Sequence, residues 1–157
     1  MALRTSLTAA LLALAALPAV AHAGIPTIAP DVTKLTVTPA KFKALTTGGP
    51  VVQAGGAKVT FTTVDSTNVN FTVKAEKPGK RAGSSCVAGK PKKKGKACVR
   101  TVDVPGGFKL ITLSGPNEFQ FSGRIGTTAL APGAYRLVAK ADGQAARSSY
   151  TRFTILK

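Results

Sequence analysis

The sequence predicts an all-β protein, an antiparallel β-sandwich of about seven strands in one domain. Apolar and polar residues alternate with period two in several short runs rich in Thr, Val and Phe. The chain holds 16 Gly and 10 Pro, which bound those runs as turn residues, whereas aromatic residues make up only 6%. No segment after residue 23 places apolar residues at helical spacing over three turns. The length of 157 residues suits one domain of ordinary size.

The first 23 residues predict a cleavable secretory signal peptide. Arg4 supplies a positive charge, an apolar run follows, and Ala21-His22-Ala23 has the small-residue pattern of a cleavage site. An uncleaved membrane anchor is the weaker alternative, because the apolar run is short for a span. We expect the cleaved chain to lack any membrane span and to be secreted, either extracellular or associated with the cell envelope. Residues 24–30 are then a flexible leader and residues 31–157 the sandwich domain.

Six alternating runs are predicted as strands, in chain order 34–38, 58–63, 68–74, 118–122, 135–140 and 152–155. A seventh strand, through 99–102, is expected to pair with the strand through Val73. The apolar side chains on one face of these strands form the predicted core: Leu35, Val37, Val59, Phe61, Val69, Phe71, Val73, Phe119, Phe121, Tyr135, Leu137, Phe153 and Ile155. Each large side chain buried there contributes about 1.5–3 kcal/mol before the loss of chain entropy.

Charge is concentrated in residues 77–100. The whole chain has 22 Lys and Arg against 6 Asp and Glu, a formal net charge of +16, and this segment holds nine of the basic residues and no acid. Because it is rich in Gly, Ser, Pro and Lys, we expect a long exposed loop. The candidate anion-binding residues are Lys80, Arg81, Lys90, Lys92, Lys93, Lys94 and Lys96. The alternative is that this charge serves solubility alone.

The two cysteines, Cys86 and Cys98, lie within the basic segment. In an exported chain two cysteines most simply form one disulfide, which would close the basic loop. The pairing of the flanking strands is expected to bring them opposite each other. A metal site would need further ligands, and a redox pair usually has closer spacing, so both alternatives are weaker.

The residue inventory predicts no enzyme, no cofactor and no metal. The only His of the chain lies in the signal peptide, which removes the usual base of nucleophilic catalysis. The six acids are scattered without the close spacing of metal or acid–base pairs. They are Asp31, Asp65, Glu76, Asp103, Glu118 and Asp142.

The string LAPGAYRLVA at 130–139 resembles the end of immunoglobulin-like and fibronectin type III-like sandwiches. In those folds a Leu-x-Pro turn precedes a Tyr whose hydroxyl bonds back to the turn, and Tyr135 takes that structural role under this resemblance. Together with NEFQFSGR at 117–124, the string is similar to modules of exported actinobacterial proteins. Those modules carry a Lys-rich loop between two cysteines and often occur as accessory domains at the ends of larger exported proteins. The resemblance covers roughly residues 31–157 and implies the fold rather than an activity.

These observations predict a non-enzymatic secreted module that adheres to anionic envelope or matrix polymers through the Lys-rich loop. The alternative is a structural or protein-binding module that uses a sheet face or an edge strand. A carbohydrate-binding domain is less favoured, because the chain has two Tyr and no Trp to stack on sugar rings. No specific nucleic acid is expected as a partner, since residues 77–100 hold no aromatic to stack on bases.

Overall fold

The computed structural model describes residues 31–90, 95–143 and 147–157, and every regular element in these ranges is a β-strand. The predicted signal peptide, the leader and the candidate residues Lys92, Lys93 and Lys94 lie outside the described residues. The strands of the first half are β1 (Val32–Thr38), β2 (Lys41–Phe42), β3 (Val51–Val52), β4 (Ala57–Thr63), β5 (Thr67–Ala82) and β6 (Ser85–Val87). Those of the second half are β7 (Ala97–Asp103), β8 (Phe108–Thr112), β9 (Gly115–Phe121), β10 (Arg124–Ile125), β11 (Thr128–Ala129), β12 (Gly133–Ala141) and β13 (Ser148–Ile155). The all-β class predicted from the sequence is confirmed.

Two sheets and one small hairpin contain these strands. The first sheet has the order β1-β4-β9-β3, and the second has the order β2-β13-β12-β5 with β6, β7 and β8 also paired to β5. The short strands β10 and β11 pair with each other. All pairs are antiparallel except β13 with β2. The structure therefore has more strands than the seven predicted, mainly because two- and three-residue strands carry too little pattern to detect.

Side chains of both sheets meet in one hydrophobic core. Phe61 of β4 packs edge-on against Phe71 of β5 with ring centroids 5.4 Å apart, and Phe121 of β9 meets Phe153 of β13 at 5.7 Å. Such edge-to-face pairs add to the stabilisation from burial. Of the thirteen predicted core residues eleven are buried, and Leu35 and Phe119 are partly buried against the same core.

The strand β5 is the longest element, and it is the element that positions the candidate site. Its residue Ala75 pairs with Tyr135 of β12 on one edge and with Val102 of β7 on the other. The pairing with β12 goes no further than Ala75, whereas β5 continues for seven more residues to Ala82. At the rise of a β-strand this extension is about 23 Å long.

The expectation that residues 77–100 form a long exposed loop is wrong for most of the segment. Residues 77–82 belong to β5, and β6 and the first half of β7 pair with them. Pro78, Gly79 and the closely spaced charges hide the strand in the sequence. Backbone pairing on both edges nevertheless forms it, because the ladder of hydrogen bonds does not need an apolar face.

Candidate functional site

The disulfide between Cys86 and Cys98 is present, which confirms this prediction. The two cysteines do not face each other on a single hairpin, however. Lys80 pairs with Val87 of β6 on one edge of β5 and with Ala97 of β7 on the other edge, so β5 runs between the two strands that the disulfide joins. Their Cα atoms are 6.0 Å apart.

The disulfide can cross β5 because Gly79 lies beneath it. Gly79 pairs with Cys98, and a Cβ at Gly79 would lie 2.8 Å from Cys86 Sγ and 2.6 Å from the carbonyl oxygen of Val87. Both distances are shorter than real Cβ contacts. Only glycine fits this crossing.

We call residues 77–87 and 96–100 the distal ribbon, the part of β5, β6 and β7 that lies beyond β12. It contains five basic residues and no acid. Successive strand residues point to opposite faces, and residues paired across an antiparallel ladder share a face. The register therefore sorts the side chains of the ribbon into two faces.

One side of the distal ribbon is the cationic face. Lys77 pairs with Arg100. Arg81 donates its backbone N–H to the Lys96 carbonyl at 3.0 Å, which continues the same register one residue beyond the pair of Lys80 and Ala97. The disulfide lies on this side as well: Cys98 is level with Gly79, between the two cationic pairs, and Cys86 is level with Arg81. Lys77, Arg81 and Lys96 are exposed and Arg100 is half-buried.

The opposite side is the apolar face, which carries Pro78, Val87, Ala97 and Val99. Val99 is 60% exposed and Val87 is 37% exposed. A shallow cavity of about 450 Å³ opens on this side and is lined in part by Pro78, Val99 and Ala134. The distal ribbon is thus amphipathic with the period of a β-strand.

The structure separates some of the predicted anion-binding residues. Arg81 and Lys96 are exposed on the cationic face, while Lys80 is half-buried on the apolar face, because it is adjacent to Arg81 in the strand. Lys90 is exposed in the connection between β6 and β7.

The prediction of candidate site residues did not include Lys77 and Arg100. The signal that could have found them is the alternation Cys98, Arg100, Val102 against Ala97, Val99, Thr101, which marks a strand with Arg100 on the disulfide side.

Four of the six acids form ion pairs with cations of the main body, and none of the pairs in the described residues involves the distal ribbon. The ion pairs are Lys58–Glu118, Lys74–Asp103, Lys109–Asp142, and Glu76 with both Arg136 and Arg152. Among the described residues, no basic side chain of the ribbon forms an ion pair. The positive charge of the ribbon is therefore available to an external anion.

Glu76 marks the boundary between the ribbon and the main body. Its Oε1 accepts hydrogen bonds from Arg136 Nε at 2.5 Å and Arg152 Nε at 2.9 Å. The Arg136 hydrogen bond, helped by Arg152 and by the charges of both, holds the pKa of Glu76 below its usual value although burial acts in the opposite direction. Arg136 also stacks over the Tyr150 ring, 4.8 Å from its centroid.

A buried arginine organises the loops at another part of the fold. Arg124 is 8% exposed. Its Nε donates to the Gly48 carbonyl at 2.8 Å, its Nη1 donates to the carbonyls of Leu45 and Thr46 at 3.0 and 2.7 Å, and its Nη2 donates to the Thr127 carbonyl. All these partners are neutral backbone oxygens, so this guanidinium has a structural role.

Tyr135 bonds back to the preceding turn. Its hydroxyl donates to the Ala131 carbonyl at 2.8 Å, and its ring stacks on Phe153 with centroids 5.5 Å apart. Burial raises the pKa of the phenol. This is the contact expected of Tyr135 under the sequence resemblance.

Within residues 31–90, 95–143 and 147–157, no three His, Cys, Asp or Glu side chains come together as metal ligands. The same ranges contain no helix of the length and apolarity needed to cross a membrane. In comparisons with known proteins, neither a protein family nor a curated protein matches this chain.

Proposed function

We propose that this protein is a non-enzymatic, secreted module that adheres to anionic polymers of a cell envelope or extracellular matrix. The observation that carries the proposal is the distal ribbon, which presents five basic residues without an acid and is held together by a disulfide. Cations that have no internal counter-ion attract phosphate, sulfate or carboxylate groups. The disulfide and the strand pairing limit the conformational entropy that the ribbon loses when it binds a flexible chain.

The proposed fold is an immunoglobulin-like or fibronectin type III-like sandwich. In support, the order β1-β4-β9 corresponds to strands A, B and E of that fold, and β13-β12-β5 corresponds to strands G, F and C. The hydrogen bond from Tyr135 to Ala131 adds the tyrosine corner. Because such sandwiches host unrelated functions, the proposed activity rests on the ribbon and not on the fold.

Export is proposed from the sequence of residues 1–23 and from the disulfide, a bond typical of oxidising compartments. The test is N-terminal sequencing of the protein recovered outside producing cells. We expect the sequence to begin at Gly24. A chain that stays inside the cell with its first residues intact would contradict export.

Adhesion is tested with a charge variant of the distal ribbon. The five basic residues of the distal ribbon, Lys77, Lys80, Arg81, Lys96 and Arg100, are changed to Gln, and binding to envelope polymers, other polyanions and DNA is measured at 50 and 200 mM salt. A matched control changes five lysines of the main body instead: Lys34, Lys41, Lys43, Lys140 and Lys157, which are all exposed. If about five phosphates are contacted and the salt dependence is that of binding to double-stranded DNA, the rise in salt should weaken wild-type binding roughly 10²- to 10³-fold.

The proposal expects the wild type to bind an envelope polymer better than DNA, the distal-ribbon variant to lose this preference, and the control to keep it. Equal weak binding to every polyanion, or equal losses in both variants, would show that the charge serves solubility only.

An exposed apolar patch favours the alternative of a protein-binding module. Ile111 on β8 is 89% exposed, and the neighbouring Leu113 and Val64 are 72% and 49% exposed. The strand β8 pairs only with β5 among the described strands, so its other edge is open to a further strand. If binding to envelope fragments persists at 200 mM salt and is lost in an Ile111→Lys, Leu113→Lys variant, this alternative replaces adhesion through charge.

A further inference from the structure

We infer that the cationic face of the distal ribbon is a two-subsite surface for one linear polyphosphate-like chain. One subsite is the pair Lys77 and Arg100, and the other is the pair Arg81 and Lys96. The inference rests on the proposed function for its choice of an anionic polymer, and it goes further by naming the residues and the number of contacts.

Each subsite combines the same two cations. The side chains of directly opposed strand residues start about 4.5–5.5 Å apart, so the Lys and the Arg of one pair can reach a single phosphate. The guanidinium can donate two parallel hydrogen bonds to phosphate oxygens, while the ammonium adds a compact charge.

The half-buried Arg100 supports a ligand at the first subsite. Its Nε is buried and has no hydrogen-bond partner among the described residues. A charged N–H group removed from water without a partner costs free energy, and a phosphate that draws the guanidinium outward and accepts this N–H would relieve that cost.

The spacing of the two subsites sets the size of the ligand. Lys77 and Arg81 are four residues apart on one strand, which places the two pairs about 13 Å apart. Between them lie Gly79 and Cys98, which carry no charge. A single phosphate or pyrophosphate can occupy one subsite only, whereas a longer chain can occupy both.

A chain that reaches both subsites gains affinity by linkage. Its second contact forms at a high effective concentration, because the first contact already holds the chain beside the ribbon. The expected result is a step in affinity at the length that spans the two pairs, in addition to the gradual increase that any longer polyanion shows.

The test titrates the purified protein with inorganic phosphate, pyrophosphate, tripolyphosphate and longer polyphosphates of defined length. Dissociation constants are compared per phosphate. We expect the long chains to bind at least about 10-fold more tightly than pyrophosphate. Most of this gain in affinity should appear over a narrow range of chain lengths, at the length that spans the two pairs. A smooth increase with length, without a step, would overturn the inference.

Two variants remove one subsite each: Lys77→Gln with Arg100→Gln, and Arg81→Gln with Lys96→Gln. Either variant should abolish the step for long chains and weaken pyrophosphate binding by only about 2-fold, since one of two equivalent subsites remains. A control that changes Lys41 and Lys43 to Gln removes the same charge from the main body and should keep the step. Each variant is first checked for its disulfide and its thermal unfolding transition. A step that survives loss of either pair would overturn the inference.

The variant in which all five basic residues of the distal ribbon are changed to Gln separates this inference from the proposed function. If that variant loses envelope-polymer binding while both pair variants keep it, adhesion stands and the two-subsite surface is wrong. If the wild type shows the polyphosphate step but prefers no envelope polymer over DNA, the two subsites stand and the proposed adhesion is wrong.

Discussion

At the scale of single residues, Gly79 has the strictest requirement. The absence of a side chain lets the Cys86–Cys98 bond pass over β5, because a Cβ would overlap Cys86 Sγ and the Val87 carbonyl. Glycine is required at this position because other atoms come too close for a side chain, and not because the backbone has a positive φ angle.

Replacing Gly79 with Ala should impair formation of the disulfide. The added methyl must displace backbone and sulfur atoms, and overpacking of this kind costs about 1–3 kcal/mol. Free thiols counted after oxidative refolding measure the effect, and we expect a larger thiol fraction than in the wild type. Gly49→Ala is the control, because a Cβ there meets no atom within 4 Å. Full oxidation of Gly79→Ala at the wild-type rate would contradict the role assigned to this glycine.

Glu76 should make the stability of the fold depend on pH. Its pKa is lowered in the folded state, mainly by the Arg136 hydrogen bond, so its contribution is present at neutral pH and is lost as the pH falls through the folded pKa. Hydrogen bonds to a charged group contribute about 1.5–3 kcal/mol. In urea unfolding, Glu76→Gln should be less stable than the wild type at pH 7, and the difference should shrink at acidic pH.

The comparison for Glu76 is Glu118→Gln, which removes an exposed pair with Lys58. The Glu118 side chain is 64% exposed, and surface pairs contribute about 0–1 kcal/mol. A difference between wild type and Glu76→Gln that stays constant from pH 7 down to pH 3 would contradict the role of the carboxylate charge.

At the scale of elements, sequence patterns predict those strands whose outward residues are polar. β1, β4, β9, β12 and β13 were predicted because polar residues alternate with core residues along each of them. β8 was missed because Ile111 is apolar but 89% exposed, which interrupts the alternation. The end of β5 was missed because Pro78 and Gly79 are typical of turns, whereas here β7 pairs across both of them.

The disulfide should stabilise the ribbon as an element. Closing a loop of this length contributes on the order of 3 kcal/mol in the chain-entropy model. A Cys86→Ser, Cys98→Ser variant should therefore unfold at lower urea concentration than the wild type. The wild type in reductant should match the variant, and reductant should leave the variant unchanged. Equal midpoints for oxidised wild type and variant would contradict this contribution.

At the scale of the whole molecule, β5 belongs to two regions of different stability. Val69, Phe71 and Val73 are buried in the shared core, with 0–1% exposure, whereas residues 77–82 contribute no side chain to that core. Local stability follows the number of buried contacts rather than the length of a strand.

Amide hydrogen exchange should divide β5 in the same way. Amides of 69–75 should exchange slowly, close to the rate set by global unfolding, while those of 77–82 should exchange faster although they are hydrogen-bonded. Reducing the disulfide should accelerate exchange at 77–82 more than at 69–75. Uniform protection along all of β5 would contradict the division.

The sequence revealed the charge of the candidate site but not its geometry. The absence of acids from 77–100 is visible in the sequence, whereas the pairing of Lys77 with Arg100 requires the register of β5 with β7. The structural role of Arg124 could not be predicted for a similar reason. Its partners are backbone carbonyls, some of them about 80 positions away in the chain and one of them three positions away. Contacts with backbone atoms leave no residue-type pattern.

The neutral partners of Arg124 and the charged partners of Glu76 give two regions of the molecule different responses to acid. A guanidinium bound to carbonyls has no carboxylate to protonate, so the loops that it holds keep their contacts as the pH falls. The junction at Glu76, in contrast, loses its charge under the same conditions. In an acidified environment we therefore expect the contacts of Glu76 with Arg136 and Arg152 to weaken first, while the loops bound by Arg124 keep their hydrogen bonds.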